Sequence, residues 1–390
     1  KVSPELERLD ENRSASSRTA ARKGLFAVTD RYQMKNNSIL IEAYPNNGSE
    51  SLANELKDIG GTDITSRGNL VTAFLPLSSI DDLKTLKTLR FARPSLKPVT
   101  NSGSVTSQGD IAQHSDNARN IFGVNGSGTK VGVLSDSYDY LEGASGNIAT
   151  GDLPGAGNPF SFNTEVEVLL DDVGSDEGRA MLEIVHDVAP GASLSFHTAN
   201  LGRASFAEGI VSLANAGCDI IVDDITYLNE PYFQDGLISQ AVDSVNDMGV
   251  AYFSSAGNRL RSSYESEFRP SEPMEVYDPV SGLIGVYALH DFNPGPEVDY
   301  FQEITIPADG NILLALQWSQ PYASACAGCP GADSDLDFFI ALEDNDLGSI
   351  YFDLSGYDLN IGADPFEFLG VGVGEEDVTV YLVIGKYLLF

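Results

Sequence analysis

The sequence has 390 residues, of which 42% are hydrophobic and 9% aromatic. This composition is ordinary for folded protein, and the length is too great for one compact core, so two or three domains are expected. With 23 Lys and Arg against 57 Asp and Glu, the formal net charge is −34. Such a charge argues against nucleic acid and anionic membranes as partners, because both bind basic surfaces, and it fits a protein that works outside the cell or in salt.

The two ends of the chain suggest a mature secreted form or a fragment. The first residues, KVSPELERLDENR, are charged and contain no visible signal peptide. No segment approaches the roughly 18 apolar residues that cross a bilayer. The last residues, VTVYLVIGKYLLF, end inside a strand-like pattern without a turn or a polar tail, which predicts truncation. Nothing in the sequence predicts the oligomeric state.

The first third of the chain reads as a polar N-terminal segment, residues 1–37, followed by a small α+β domain, residues 38–98. The α+β domain combines alternating strands with short helices, and the first helix has a Ser N-cap and a Gly stop. Its predicted elements are strands at 38–45, 69–77 and 90–95 and helices at 49–61 and 78–89. We assign its order to a split βαββαβ unit. Residues 99–120 are Ser-, Asn-, Gln- and Gly-rich without periodicity, which predicts a linker.

Residues 121–275 alternate between apolar strands and helical stretches, the pattern of a parallel, doubly wound α/β sheet. Ligand sites in such sheets lie beyond the carboxyl ends of the strands. Asp136, Asp223, Asp224 and Asn258 all fall at predicted strand ends.

Helical patterns stop after residue 275, and residues 276–390 read as strands separated by Gly, Pro, Asn and Asp turns, which predicts a β-sandwich. This region holds Cys326 and Cys329, a C-x-x-C pair with no His nearby. Two cysteines cannot complete a tetrahedral zinc site, so a local disulfide is expected. Cys218 precedes an apolar run and is interpreted as a buried small hydrophobe.

Three polar positions carry the chemistry that this sheet could support. Asp136 follows an apolar strand, where a carboxylate could orient a catalytic base or simply cap a turn. Glu177 begins a helix, where it could be that base or only complement the helix dipole. Asn258 ends YFSSAGN and could donate its amide to a developing oxyanion, or serve as a turn residue. Each motif alone favours the structural interpretation.

Three features follow one another along this sheet: a strand ending at Asp136, a helix that begins at Glu177 and closes with APGA (residues 189–192), and a strand followed by AGN (residues 256–258). In this order they resemble the subtilase clan of peptidases, over residues 121–258, about a third of the chain. The resemblance implies a serine endopeptidase that acts on protein or peptide substrates. Asp136 matches the subtilisin Asp, and Asn258 the subtilisin oxyanion Asn. Glu177 stands where subtilisins have the triad His and matches the catalytic Glu of sedolisins. The sedolisin partner Asp would fall at Met181, so the chain departs from both patterns.

A histidine does not restore the usual triad. His186 lies nine residues after Glu177 on the same helix, roughly 13 Å along its axis. His114, His197 and His290 lie in the linker, a strand and a turn, and all four are interpreted as structural.

Glu177 is therefore the hypothetical general base, oriented by Asp136. Ionising two carboxylates in contact costs free energy because their charges repel, so we expect the pair to share a proton. Such a base would be most active below neutral pH. The resemblance also implies that Asp224, Thr226 and Tyr227 border the substrate cleft. Adjacent strand residues point to opposite faces, so only one of Asp223 and Asp224 can face the site. We expect Asp224 to face the site; the alternative that remains open is that it only caps the next turn.

The nucleophile is missing, since no G-T-S-x-x-x-P motif occurs in the 390 residues. We expect the serine beyond Phe390, after the sandwich as an insert, and we expect this fragment to be inactive. The α+β domain resembles an inhibitory propeptide. Two alternatives remain open: a non-catalytic secreted binding protein with the same fold, and a carbohydrate- or surface-adhesion protein that works through the sandwich.

No metal site is assigned, and no cofactor is certain. Acidic residues cluster in DSDLD, residues 333–337, and in EDNDLG, residues 343–348, as Ca²⁺ sites require. Neither segment has EF-hand spacing, and solvated acidic loops are the default interpretation.

Overall fold

The computed structural model describes residues 2–3, 6, 26–27, 32–46, 48–96, 99–100, 109–278, 282–341, 350–351, 354–356 and 358–388. Its α-helices are α1 (Ser49–Asp58), α2 (Gly109–Ala112), α3 (Ser115–Phe122), α4 (Ala144–Thr150), α5 (Glu177–Val188), α6 (Gly202–Asn215) and α7 (Leu237–Asp247). Its strands are β1 (Phe26–Ala27), β2 (Met34–Lys35), β3 (Ser38–Pro45), β4 (Thr62–Arg67), β5 (Leu70–Pro76), β6 (Leu89–Pro94), β7 (Val99–Thr100), β8 (Lys130–Ser135), β9 (Glu167–Leu170), β10 (Ser193–Thr198), β11 (Ile220–Asp223), β12 (Ile225–Thr226), β13 (Ala251–Ser254), β14 (Met274–Asp278), β15 (Gly282–Leu289), β16 (Gln302–Ile306), β17 (Asn311–Gln317), β18 (Leu336–Ala341), β19 (Ile350–Tyr351), β20 (Leu354–Gly356), β21 (Phe366–Gly372) and β22 (Val378–Tyr387).

The N-terminal unit, defined here as residues 32–96, is an antiparallel sheet in the order β2-β3-β5-β4, and β6 pairs with β3 on the same edge as β2. Strand β3 is buried on both faces: Ile39 and Ile41 pack in the cluster that contains α1, and Tyr44 packs in the cluster that contains α6. Strand β4 was not predicted separately. The sheet therefore has one face on its own helix and one face on the rest of the molecule.

The second predicted helix of this unit, at 78–89, is instead a pair of 3₁₀ helices, Leu77–Ser79 and Asp81–Thr85. Its buried apolar residues are Ile80, Leu83 and Leu86, three apart. A spacing of three suits the three residues per turn of a 3₁₀ helix better than the 3.6 of an α-helix.

The central sheet has five parallel strands in the order β13-β11-β8-β10-β9. Val131 and Val133 of β8 pack with Leu182 of α5 on one face, and Leu134 packs with α6 on the other. Helices α6 and α7 share that second cluster. The predicted parallel α/β sheet, with helices on both faces, is confirmed.

The C-terminal unit, residues 274–388, contains strands and no helix among its described residues. One sheet runs β19-β14-β15-β22-β18-β20, with β16 also paired to β22, and the other is β1-β21-β17. Residues of β16, β18, β21 and β22 share one apolar cluster. The β-rich prediction is confirmed, while the sandwich arrangement remains a prediction. Strand β1, from the segment predicted only as polar, adds to β21, which the sequence did not suggest.

The three units pack against one another through apolar residues. Tyr322, Ala325 and Phe366 of the C-terminal unit lie in the core cluster of the N-terminal unit. Tyr44 and Leu70 of the N-terminal unit lie in the cluster of α6 and α7. Helices α6 and α7, on one face of the central sheet, are thus covered by the N-terminal unit.

The stretch predicted as a linker, 99–120, contains β7, all of α2 and most of α3, while its residues 101–108 lie outside the described part of the chain. Helices α2 and α3 were missed because no buried apolar face supports them; Ile121 and Phe122 are more than 70% exposed. Arg119 anchors α3 instead, through two hydrogen bonds to Asp110 and one to the carbonyl of Val188.

Cys326 and Cys329 form the expected disulfide, and Cys218 is buried. Among the helices that the structure describes, none has the length and apolar character to cross a membrane.

Candidate functional site

Polar side chains gather at the carboxyl edge of the parallel sheet. Asp136 directly follows β8, Asp223 ends β11, and Glu177 begins α5, whose N-terminus points at this edge. Asp136, Glu177 and Asp223 are each less than 10% exposed. Because parallel strands end on the same side of a sheet, the three carboxylates belong to one rim.

The carboxylate of Asp136 accepts hydrogen bonds at both oxygens. Its Oδ1 accepts from the backbone N–H of Ser137 and, at 2.9 Å, from that of Glu177; its Oδ2 accepts from the N–H and hydroxyl of Ser175. Asp136 therefore holds the N-terminus of α5 through backbone groups that would otherwise lack an acceptor. The contact that joins Asp136 to Glu177 is made to the main chain of Glu177.

Glu177 is 7% exposed, and its Oε2 accepts a hydrogen bond of 2.9 Å from the hydroxyl of Ser135. Ser135 is the last residue of β8, so the side chain of Glu177 turns toward the end of the central strand. The structure therefore brings together the two residues for which the sequence predicted proximity. The predicted sharing of a proton between their carboxyl groups stays a prediction.

Gly178 allows this approach of α5 to β8. A Cβ atom at residue 178 would lie 2.3 Å from the ring of Phe196 and 2.7 Å from the carbonyl oxygen of Ser137. Any side chain here would push the first turn of α5 away from the sheet, and Glu177 with it.

We therefore expect Gly178→Ala to lower the free energy of unfolding by about 1–3 kcal/mol through overpacking. Gly146→Ala is the matched control, because Gly146 also lies in a helix but a Cβ there would meet nothing within 4 Å. The control should be neutral or stabilising by up to about 1 kcal/mol, since Ala favours a helix more than Gly does. Urea denaturation of both variants measures the difference, and equal effects would contradict the packing argument.

Asp176 organises the loop that follows Asp136, a role that the sequence did not reveal. Its carboxylate accepts from the Ser137 hydroxyl, from the N–H groups of Tyr140 and Leu141, and from Arg179. Burial alone would raise the pKa of Asp176, but the hydrogen bond from Ser137 and those from Leu141 and Arg179 lower it. The ionised carboxylate therefore fixes residues 137–141 beside the rim.

Asp223 is the last residue of β11, and Asp224 follows it outside the strand; the two differ in burial, as an alternating pattern would give. Asp223 is buried and accepts hydrogen bonds from Tyr252, Ser254 and the N–H of Ile225. Burial raises the pKa of Asp223, and those hydrogen bonds oppose the rise. Asp224 is half-buried. Burial continues to alternate as far as Glu230, so Thr226 shares the face of Asp224.

Strand β12 carries a short antiparallel partner from a distant part of the chain. Ile225 pairs with Thr100 and Thr226 with Val99, so β7 adds to β12 as an extended strand. The sequence did not reveal this pairing, because two residues are too few to show an alternating pattern. The backbone at Ile225 and Thr226 is thus an edge that takes an extended peptide segment.

Tyr227 does not contribute its side chain to the predicted cleft. The ring is 5% exposed and packs edge-on against Phe206 with centroids 5.5 Å apart, and its hydroxyl donates to the carbonyl of Ala199. The alternation along this strand places Tyr227 on the same face as Ile225, toward the core. The prediction of Tyr227 as a substrate-binding residue therefore has no support from its side chain.

Asn258, the predicted oxyanion donor, lies in an exposed loop four residues after the end of β13. Strand β13 is the edge of the parallel sheet and lies two strands from β8, about 10 Å across the sheet. Gly257 before it has φ +69°, a conformation that suits glycine. Asn258 thus lies beyond the carboxyl end of its strand, as predicted, but that strand is the outermost strand of the sheet.

Three of the four histidines, His186, His197 and His290, are buried. His186 is buried near the end of α5 against Phe162, and His197 in β10 bonds to the carbonyl of Thr198. His290 stacks on Phe268 in the C-terminal unit. Burial lowers the pKa of His186, His197 and His290.

Over the described ranges, no three His, Cys, Asp or Glu side chains are arranged to hold a metal ion. Within residues 333–337, Asp335 accepts from the N–H of Asn360 at 3.0 Å. The other acidic segment that the sequence suggested for Ca²⁺, residues 343–348, lies outside the described residues.

No protein-family profile and no curated protein matches this sequence. Three solved structures with distant similarity are peptidases. Fervidolysin from Fervidobacterium pennivorans, a keratinolytic enzyme related to subtilisin, is 15% identical with a TM-score of 0.32, over 73% of this chain and 51% of its own. The epidermin leader peptide processing serine protease of Staphylococcus aureus is 11% identical with a TM-score of 0.34, and the match covers 59% of this chain and 65% of the protease. The CspB protease of Clostridium perfringens is 11% identical with a TM-score of 0.31, and the match covers 73% of this chain and 66% of the protease. The chain thus spans about half the length of fervidolysin, and similarities this low do not establish a shared activity.

Proposed function

We propose that this chain is the larger part of a secreted subtilisin-like serine endopeptidase that cleaves peptide bonds in protein or peptide substrates by acyl transfer. The G-T-S-x-x-x-P motif of the nucleophile does not occur in the 390 residues, so in this proposal the serine comes from further residues of the parent protein. The chain by itself binds peptide and does not cleave it.

The observation that carries the proposal is the pairing of β7 with β12 at the rim that holds Asp136 and Glu177. An extended segment adds to an exposed strand edge through main-chain hydrogen bonds, which is how many proteins bind peptides. A substrate that took the place of β7 would lie antiparallel to Ile225 and Thr226. Asp224 and Thr226, on the less buried face, would then border its side chains.

Glu177 is the proposed general base, because its carboxylate is held by Ser135 at the end of the central strand. Asp136 is a positioning residue in this scheme: it fixes the backbone of Glu177 and with it the start of α5. Asn258 is the proposed oxyanion donor and would stabilise the negative charge of the tetrahedral intermediate. Only the ionised carboxylate of Glu177 could accept the proton of the serine in this scheme.

Secretion is proposed from two features. The disulfide between Cys326 and Cys329 belongs to oxidising compartments, since cytosolic thiols are kept reduced. The net charge of −34 keeps a protein soluble in the extracellular environment.

Labelling of the full-length product of the parent gene with a fluorophosphonate probe tests the enzyme directly. We expect one labelled serine, and a loss of labelling of about a hundredfold or more in Glu177→Ala, because general-base catalysis contributes about 10²–10⁴-fold. Glu183→Ala is the matched control: Glu183 lies on the same helix, and it should label normally. Absence of labelling in the wild type, or equal labelling in Glu177→Ala, would contradict the proposal.

A non-catalytic peptide-binding protein is the second candidate. The burial of Glu177 favours it, because a side chain that is 7% exposed does not face solvent where a substrate would enter. The same labelling experiment separates the two candidates, since a binding protein without the nucleophile would bind peptides at β12 and never react with the probe.

A further inference from the structure

A buried ion network joins the three units of the chain. Its charged members are Glu42 and Arg93 from the N-terminal unit, Arg203 from α6, Glu230 from the loop after β12, and Asp364 from the C-terminal unit. The side chains of Glu42, Arg203 and Asp364 are at most 1% exposed. Long charged side chains are almost never buried so fully unless they are paired.

Glu42 is the centre of the network. Arg203 binds both of its oxygens, with Nε to Oε1 and Nη2 to Oε2 each at 3.0 Å, and Arg93 binds Oε2 at 3.2 Å. Asn229 donates to Oε1 at 3.0 Å. Burial alone would raise the pKa of Glu42, but Arg203 and Arg93 lower it to about 2. Glu42 is therefore ionised and bonded to two different units.

Asp364 continues the network into the C-terminal unit. It accepts from Arg93 at 3.3 Å and from the hydroxyl of Tyr44 at 3.0 Å, both in the N-terminal unit. The N–H and hydroxyl of Ser324 hold the same carboxylate from the C-terminal side. The N-terminal unit thus makes charged contacts with both of its neighbours at one point.

Apolar packing surrounds these charges. Gly202, at the start of α6 with φ +83°, lies so close to the N-terminal sheet that a Cβ there would lie 3.2 Å from Thr72 and 3.4 Å from Leu40. Removing the N-terminal unit would expose this surface and leave Arg203 without its main partner. Breaking a buried charge pair by removing one partner is strongly destabilising, whereas a surface pair contributes little.

From this network we infer that the N-terminal unit is a permanent part of the molecule rather than a segment that departs after cleavage of the chain. It remains bound to α6 and to the C-terminal unit even when the connection at residues 101–108 is cut. As a consequence, β7 stays at β12 as a tethered occupant of the peptide edge. This consequence rests on the proposed function, and the retention itself does not.

The connection from the network to β7 is short. The N–H of Ser95 donates to the carbonyl of Leu40 at 2.8 Å, and Leu96 is 6% exposed, so the end of the N-terminal unit is fixed. Only two residues separate Leu96 from Val99, a reach of about 10 Å from one Cα to the other. A peptide can thus reach β12 only by local withdrawal of β7, while the unit itself stays in place.

The test uses the full chain with a site for a sequence-specific protease introduced within residues 101–108. After complete cutting, the two fragments should co-elute in size-exclusion chromatography at high salt and separate only where urea unfolds the protein. The backbone amide of Thr226, the residue of β12 that pairs with Val99, should keep its protection from hydrogen exchange. Separation of the fragments in native buffer, or loss of that protection after cutting, would overturn the inference.

Two variants of the cut protein identify the cause of retention. Arg203→Met should weaken it by about a hundredfold or more, because Glu42 loses its bidentate partner. Arg67→Met is the matched control: Arg67 pairs with Glu208 across the same interface, but these side chains are 21% and 46% exposed. Retention in the control should change less than about fivefold. Equal weakening in both variants would overturn the role of the network; if Arg203→Met does not fold, the wild-type co-elution still decides retention.

Discussion

Replacing Glu42 by glutamine should lower the free energy of unfolding by about 3–5 kcal/mol. The change keeps the size of the side chain but leaves Arg93 and Arg203 buried with only Asp364 and Glu230 to balance them. Urea denaturation monitored by circular dichroism gives the difference directly.

Glu208→Gln is the matched control, because Glu208 makes an exposed ion pair at the same interface. It should cost less than about 1 kcal/mol. A loss in Glu42→Gln no larger than in the control would mean that the network adds nothing to stability.

Acid should destabilise the wild type by protonating Glu42. The pKa of Glu42 is lowered from 4.5 to about 2, so its stabilising contribution is complete above pH 4.5 and is lost as the pH falls toward 2. Glu42→Gln has no such carboxyl group and should lose less stability over this interval. Parallel losses in the two proteins would contradict this assignment.

Asp136→Ala should lower the free energy of unfolding by about 3 kcal/mol or more and release the start of α5. The substitution removes the acceptor for the N–H groups of Ser137, Ser175 and Glu177. A buried donor without a partner costs about 1–3 kcal/mol, and two of these donors are buried. Hydrogen exchange at the amides of Ser175 and Glu177 should rise in Asp136→Ala.

Asp139→Ala serves as the control for this prediction. Asp139 lies three residues away on the same loop, its side chain is 41% exposed, and it accepts a single backbone N–H, that of Ala144. Its loss should cost about 1 kcal/mol. An effect in Asp136→Ala equal to that of the control would show that Asp136 does not hold α5.

Four strands of the central sheet, β8, β10, β11 and β13, were predictable because they are short apolar runs between helices with clear stops, whereas the largely exposed edge strand β9 was not predicted. The same pattern placed Asp136 after β8 and Glu177 at the start of α5, and Gly178 explains how the helix comes close enough. The alternation of burial around Asp223 and Asp224 was predictable for the same reason, since neighbouring strand residues face opposite ways.

Contacts between distant segments were not predictable from local patterns. Glu42, Arg203 and Asp364 are more than 150 residues apart in sequence, and a charged residue reads as surface until its partners are known. The pairing of β7 with β12 involves two residues on each side. Tyr227 was misplaced because a resemblance assigns positions along the chain and not the direction of each side chain.

Binding of a fluorescent peptide with the sequence of residues 95–104 tests most directly the claim that β12 is a peptide-binding edge occupied by β7. In a chain carrying Val99→Pro and Thr100→Pro, which removes the β7 donors, the peptide should bind about tenfold more tightly than in the wild type, because the tethered strand competes at millimolar effective concentration. Adding Thr226→Pro should abolish that binding. Equal affinity in the wild type and the double-proline variant, or no binding to either, would contradict the account.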